Sequence, residues 1–484
     1  MFHRRRCAVR LGWIASGLLI QGCVLTPAGT QDERARLAEV GTAYDPALSE
    51  RAPAPELPEQ PGWRDLLQRA FLTNGDLEAR YFEWKAALAR IDVAAAYPNT
   101  NVALTFNYLF SGENVKGWDR ATLQAGFDSM QNLSFPTKVA AKGRVALEDA
   151  RVAAARFEAT KFEIQEQLLT TYYDYALAAE RARLQRETLA LLRLAAEAAA
   201  AGVRSGGAQQ DLLAATIAVR LAESELQTQE STLPQLQTAL NALVGRRPDA
   251  RLDPPDTLPP PRELPADDAR LLAVGTERHP ELAALARTVA GRENALDLAR
   301  QAFIPDINPF AAINGNIAQI VGAAIVLPTT IPAIRAAIRD AESQLRGSEA
   351  TLRQARLDRE ARFVATLVAL RNNEQQVRIL SESVLPAATT QTASVRQNYA
   401  AGLGPMAPVI ESEQTLVDAR VALAEARMQR EKRLAELETL AGVDVETLMA
   451  SPAGSAGTGA VLDETRDRRD AGPEPARPDG EARS

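Results

Sequence analysis

Along one stretch an aliphatic residue recurs at every seventh position: Leu212, Val219, Leu226, Leu233 and Leu240. Ala215, Ala222, Leu236 and Leu243 fill a second line three residues on, with Gln229 as its polar member. A seam of this kind specifies a long helix in a coiled coil, because it keeps one narrow apolar stripe turned toward a partner helix. The second half repeats the pattern. Val409, Leu416, Leu423 and Leu437 take the first line and Ala419, Ala426 and Leu440 the second, interrupted by Arg430 and Arg433. Each copy is preceded by glycines, Gly206-Gly207 and then Gly402 and Gly404, and each closes on Leu-x-x-Leu-x-Gly. Glycine tolerates positive φ, so these are sharp turns. Each copy therefore reads as the returning arm of a helical hairpin, and the chain as an internal duplication.

The duplication reaches upstream. Leu66-Leu67 and Asp76-Leu77 correspond to Leu271-Leu272 and Glu281-Leu282. Each pair leads into an amphipathic stretch and then a hydrophobic residue and a proline, Tyr97-Pro98 and Ile304-Pro305. The order in each half is short helix, extended hairpin, very long helix, glycine tip, returning helix. Trp63 to about Ala96 lacks an internal proline and reads as one helix. From Pro136 a helix runs to about Ala201, and from Pro332 another runs to about Ala400 with Pro386 as a kink or break. Sixty residues of helix reach roughly 90 Å, a length no globular core needs. Hydrophobic residues make up 46% of the chain but aromatics only 5%, which suits long, closely packed helices better than a broad core.

Between helices the period changes to two. Val102, Leu104, Phe106, Tyr108 and Phe110 alternate with small or polar residues, and Leu123, Ala125 and Phe127 alternate with Thr122, Gln124 and Asp128. The second hairpin spans Asp306 to Leu327 and turns at Asn314-Gly315, where both residues tolerate positive φ. Its return strand, Ile317 to Leu327, is nearly all apolar and alternates poorly. Strands of about ten residues with one apolar and one wet face mark a transmembrane β-barrel; a soluble hairpin packed on a helix is the alternative. Four strands cannot close a barrel, and open edges cannot face lipid, so a membrane role requires an oligomer.

The amino terminus carries Arg4, Arg5, Arg6 and Arg10, then a short apolar core from Leu11 to Ile20, too short to span a bilayer. It ends at Leu19-Ile20-Gln21-Gly22-Cys23. This resembles a bacterial lipobox, which makes Cys23 the lipidated first residue; an ordinary cleaved signal is the alternative. Val24 follows, consistent with sorting to the outer membrane. Loss of the signal takes Cys7 and His3 with it, leaving Cys23 and His279. That excludes an internal disulfide, a zinc site of the usual His/Cys kind and a Cys-His pair. His279 precedes Pro280 at a helix start and reads as a capping or surface residue. With a formal charge of −7 and neither a phosphate loop nor a nucleophile elbow, the chain reads as a non-enzyme with no cofactor, no metal and no nucleic-acid partner.

The lipobox, the tandem repeat, and Ala401-Gly402-Leu403-Gly404 running into Leu416-Val417-Asp418-Ala419-Arg420 together resemble the TolC outer-membrane efflux family, especially its lipid-anchored members. The resemblance covers about Trp63 to Val443. It implies a mainly α chain with a β-barrel portion, built from two tandem repeats: a homotrimer with a twelve-stranded transmembrane barrel, four strands per chain, continued by an α-helical coiled-coil barrel. It implies a passive exit duct in the outer membrane for a tripartite efflux pump or type I secretion system, served by a periplasmic adaptor protein and an inner-membrane pump. A periplasmic coiled-coil scaffold lipoprotein is the alternative. The adaptor would dock at the tips, Ser205, Gly206, Gly207, Gly402, Leu403 and Gly404. Carried over by position, a gating carboxylate falls on Glu411, while its outer counterpart falls on Pro408 and breaks the pattern. The expected division is 1–22 signal peptide, 23–62 lipid-anchored extended tether, 63–247 first repeat, 248–265 proline-rich linker, 266–450 second repeat and 451–484 disordered tail.

Overall fold

The computed structural model describes residues 24–45, 54–97, 100–106, 121–127, 133–204, 209–264, 268, 271, 279–314 and 318–444. Helix α1 (Thr30–Gly41) precedes the first repeat, which carries α2 (Trp63–Thr73) and α3 (Gly75–Ala94), then strands β1 (Thr100–Phe106) and β2 (Ala121–Phe127), then α4 (Pro136–Arg204) and α5 (Gln209–Leu243). The second repeat carries α6 (Pro280–Arg300), β3 (Asp306–Asn314), β4 (Ala318–Val326), α7 (Ile331–Ile379), α8 (Leu385–Ala400) and α9 (Ala407–Ala441). At 69 residues α4 is the longest, about 100 Å at 1.5 Å per residue. It packs on α3 and α6 toward the strands and on α5 and α9 toward the tips. Among the described residues no helix is long and apolar enough to cross a membrane.

Two elements differ from the sequence reading. Trp63 to Ala96 is two helices, because Asn74 stands between them in extended conformation and its side chain caps α3. Residues 24–62 do not form a purely extended tether. Thr30–Gly41 is helical and lies on α3, and the Leu25 amide donates to Ala95 O at 3.1 Å. Pro27 fills the space above Gly143, where a side chain would meet it at 3.1 Å. The Pro386 expectation is met by a π turn, Leu380–Val384, immediately before α8. Proline removes an amide donor and crowds the carbonyl four residues back, here Glu382, and the wider turn absorbs both.

Most of the core lies where the first repeat's short helices meet α4, α5 and α9. Leu77, Tyr81, Trp84, Phe157, Leu168, Tyr173, Leu240 and Met428 are buried there. A second cluster nearer the tips joins the two hairpins, with Leu189, Leu192, Ala215, Ala218 and Ala222 against Met406, Val409 and Ile410. Alanine at the seam lets helices approach closely, which explains why the chain needs so few aromatics.

The proline-rich linker is also packed. Arg262 is sandwiched against the Trp63 ring and paired with Glu431 at 3.2 Å and Glu438 at 2.9 Å. Arg430 joins this cluster through Glu374 and Glu431. Tyr175 donates its hydroxyl to Leu252 O at 2.6 Å. Linker, first-repeat start and second-repeat end thus share one buried polar centre.

Candidate functional site

The four strands form one antiparallel sheet in the order β1-β2-β3-β4. Their register sorts the side chains onto two faces. Leu104 pairs with Leu123, Leu123 with Ile313, and Ile307 with Ile325, so Val102, Leu104, Phe106, Ala125, Ile307, Val321 and Ile325 share one face. That face is apolar and uncovered: Leu104 is 73% exposed and Val321 87%. The opposite face carries Thr105, Thr122, Gln124, Asn308 and Asn314. Thr122 donates to Asn314 Oδ1 at 3.2 Å, and the Leu133 amide donates to Asn308 Oδ1 at 2.6 Å.

The fourth strand, ambiguous in sequence, takes its facing from β3. Gly322 lies opposite Phe310, whose ring would stand 2.8 Å from any Cβ added there, and on β2 Gly126 lies opposite the same residue, where an added Cβ would meet Phe310 Cβ at 3.2 Å. Gly322 makes room for the aromatic ring on the wetter face, and Gly126 for the start of the same side chain. Pro309 lacks an amide donor, and the β2–β3 ladder stops at Phe310, just before it. Where the sheet meets the helices, Lys138 at the start of α4 reaches Ile304 O at 2.6 Å and Asp306 at 2.8 Å. The outer edges of β1 and β4 have no strand beside them among the described residues.

At the other end, α8 stops in a Schellman turn. Gly402 takes φ 73°, its amide donates to Tyr399 O, and the Leu403 amide donates to Asn398 O, both at 2.9 Å. Leu403 is 78% exposed and an added Cβ at Gly404 would meet open space. Ser205, Gly206 and Gly207 lie outside the described residues, as do Cys23, Gly315 and residues 107–120. Glu411 is exposed on α9, as its heptad position requires, and forms no ion pair among the described residues. Its neighbour Glu413 is buried and held by Arg396 of α8. Thr392 donates to Ser412 O at 3.0 Å across the same hairpin.

Solved structures share this arrangement. The outer-membrane channel OprN is 16% identical, with 83% of this chain and 96% of that one aligned at a TM-score of 0.68. VceC, an outer membrane protein of Vibrio cholerae, is 18% identical over 79% and 96% of the two chains, at 0.67. The open state of the Neisseria gonorrhoeae MtrE outer membrane channel is 18% identical over 79% and 89%, at 0.68.

The fold is that of the TolC-like outer-membrane channels.

No family model matches the sequence, and no curated protein matches it. The likeness therefore rests on shape, and the architecture of this TolC-like fold is what it establishes.

Sequence reasoning missed one class of residue, the polar bridges that close each repeat. Asn74 caps α3 and donates to Leu243 O at 3.2 Å. His279 caps α6, accepting the Glu281 amide on Nδ1 at 3.0 Å, with Nε2 2.8 Å from Thr439 O. It is buried, only 4% exposed, so the capping expectation holds and the surface one does not. Burial, then the charge of Arg359, pushes its pKa down to about 4 against the pull of the Thr439 bond. Aligning the repeats on Asp76-Leu77 and Glu281-Leu282 superposes Asn74 on His279, which is the signal that was available.

Proposed function

We propose that this chain is the outer-membrane exit duct of a tripartite efflux pump or type I secretion system, a passive homotrimer that conducts cargo across the outer membrane. The observation that carries the reading is the sheet: one apolar uncovered face, an opposite face on which β1–β3 set Thr105, Thr122, Gln124, Asn308 and Asn314, and two edges open among the described residues, joined to a helix of 69 residues. In lipid each edge needs a partner strand, and a second copy of the same sheet supplies it. Three copies give twelve strands, with the Thr122, Gln124 and Asn308 face lining the water-filled interior. The scaffold alternative leaves Leu104 and Val321 in water with nothing to cover them.

On this reading Cys23 is acylated and its lipid sits close to the membrane surface. The Leu25 amide is bonded to Ala95 O, a few residues before β1, which supports an anchor close to the junction of helix and strand. The tips at 205–207 and 402–404 receive the adaptor, which links the duct to the inner-membrane pump. Glu411 supplies a carboxylate ring at the narrow end. Glu413 is unsuited to that role because Arg396 already neutralises it.

Heat-resistant trimers recovered from outer-membrane fractions support the duct; a monomer in the soluble periplasmic fraction rejects it. Palmitate labelling of wild type and not of Cys23→Ala tests the anchor. Gly404→Trp lowers transport while leaving trimers intact if the tip is the docking surface; normal transport places docking elsewhere. A trivalent cation on the periplasmic side blocks wild type more than Glu411→Gln if the ring exists, and equally if it does not.

A further inference from the structure

The two repeats close on themselves by the same device, and only one of the two devices can take up a proton. In the first repeat Asn74 Oδ1 accepts the Asp76 and Leu77 amides at 2.9 and 3.3 Å, while Nδ2 donates to the end of α5 at Leu243 O. In the second, Nδ1 of His279 accepts from the start of α6 and Nε2 meets Thr439 O near the end of α9. A carbonyl can only accept, so Nε2 carries the hydrogen and Nδ1 is bare. A positive-φ glycine abuts each bridge: Gly245 against Thr73, Gly442 against His279 and Pro280.

We propose that His279 is a proton-operated latch: a second proton, on Nδ1, uncaps α6 and frees the junction that closes the second repeat, while the uncharged Asn74 keeps the first repeat closed. An imidazolium has no acceptor left for the Glu281 amide, and two N–H groups facing each other at 3.0 Å repel. The ring must then turn out of its site or the helix start must move.

Every packed element contributes charge. Arg359 and Arg362 of α7 oppose the imidazolium; Glu281 beside it, Glu163 and Glu166 of α4 and Glu436 of α9 favour it. These groups line a cavity of about 220 Å³ next to the ring, which gives water and protons a route to a buried site. Arg359 is already bonded to Glu281. The Glu166 carboxyl is itself pushed up by burial, against a lowering bond from Thr439, so it takes up a proton early as pH falls.

The sign follows from linkage. The unfolded imidazole titrates near 6.5 and the folded one near 4. The closed junction is thus fully favoured above pH 6.5, and the advantage drains away as pH falls toward 4. The gap corresponds to a loss of about 300-fold in the closed-to-open ratio. The latch stands whether or not the chain is a duct.

Hydrogen exchange on the full-length protein, corrected for intrinsic pH dependence, reads both junctions at once. Between pH 7.5 and 4, peptides spanning 279–284 and 437–443 of the wild type should lose about 100-fold in protection. Peptides spanning 74–79 and 241–246 should not. His279→Asn supplies the acceptor and donor without the titration and should keep protection in both repeats. Equal loss in both repeats, or an undiminished loss in His279→Asn, overturns the latch. Should that variant fail to assemble, ¹⁵N-histidine spectra of the exported wild type decide, where loss of the signal with His3 leaves His279 to give the resonance. An Nε2–H tautomer that titrates below pH 5 is expected; an Nδ1–H tautomer or a midpoint near 6.5 overturns the proposal.

Discussion

Glycines at the ends of the return helices do different work from the glycine at the tip, although the sequence makes them look alike. Gly245 and Gly442 take φ near +62° and +65°, and a Cβ would stand 2.9 Å from Thr73 and 2.5 Å from Pro280. Alanine there combines a left-handed backbone with a clash and should lower stability by about 1–3 kcal/mol each. Gly404 meets open space, so Gly404→Ala should be silent. Chemical denaturation of the detergent-solubilised protein separates the three, and equal midpoints would refute the distinction. Arg262 is the other residue on which much rests. Its loss takes the paired cation from Glu438, only 2% exposed, while Glu431 keeps Arg430. Arg262→Ala should therefore cost about 3–5 kcal/mol, read in the same denaturation experiment. Neither Arg262 nor His279 was legible from sequence as a buried hub. Periodicity reports which face a residue occupies, and both lie outside any periodic run.

The elements themselves were largely legible. Heptads placed α5 and α9, alternation placed β1 and β2, and Asn314-Gly315 placed the second hairpin. What failed was local. Asn74 broke a helix that carries no proline, because a capping side chain at an extended residue ends one helix and starts the next without a change in hydrophobic pattern. Facing on β4 was illegible because its residues are apolar on both sides; the Phe310–Gly322 pairing decides it, and pairing is a property of two strands. The sheet makes its own prediction. Leu104→Arg on the apolar face should cost about 2–4 kcal/mol in a bilayer and deplete the protein from outer membranes, while Gln124→Arg on the polar face should assemble normally. Membrane fractionation of both variants checks it, and equal depletion would show that the faces are not sorted by lipid and water.

At the scale of the whole molecule, the chain is an incomplete object. Among the described residues its sheet ends in two unpaired edges, and α5 exposes Leu213, Ile217 and Leu221 away from its own seam. A single chain leaves both unsatisfied. The duplication explains the economy: one hairpin-and-coil unit is used twice per chain, and six times in the trimer proposed above. The need for an oligomer follows from strand count once the sheet is read as membrane-spanning, whereas cargo and partners depend on surfaces that periodicity does not describe. In the duct proposed above, three copies enclose a water-filled path through a bilayer. Purified protein added to one side of a planar lipid bilayer tests it directly. Discrete, ohmic, cation-preferring conductance steps are expected from the wild type and none from monomeric Leu104→Arg. A trimer that inserts into the bilayer yet carries no current across the full voltage range, even with the tip glycines and Glu411 substituted to relieve a closed gate, would contradict it.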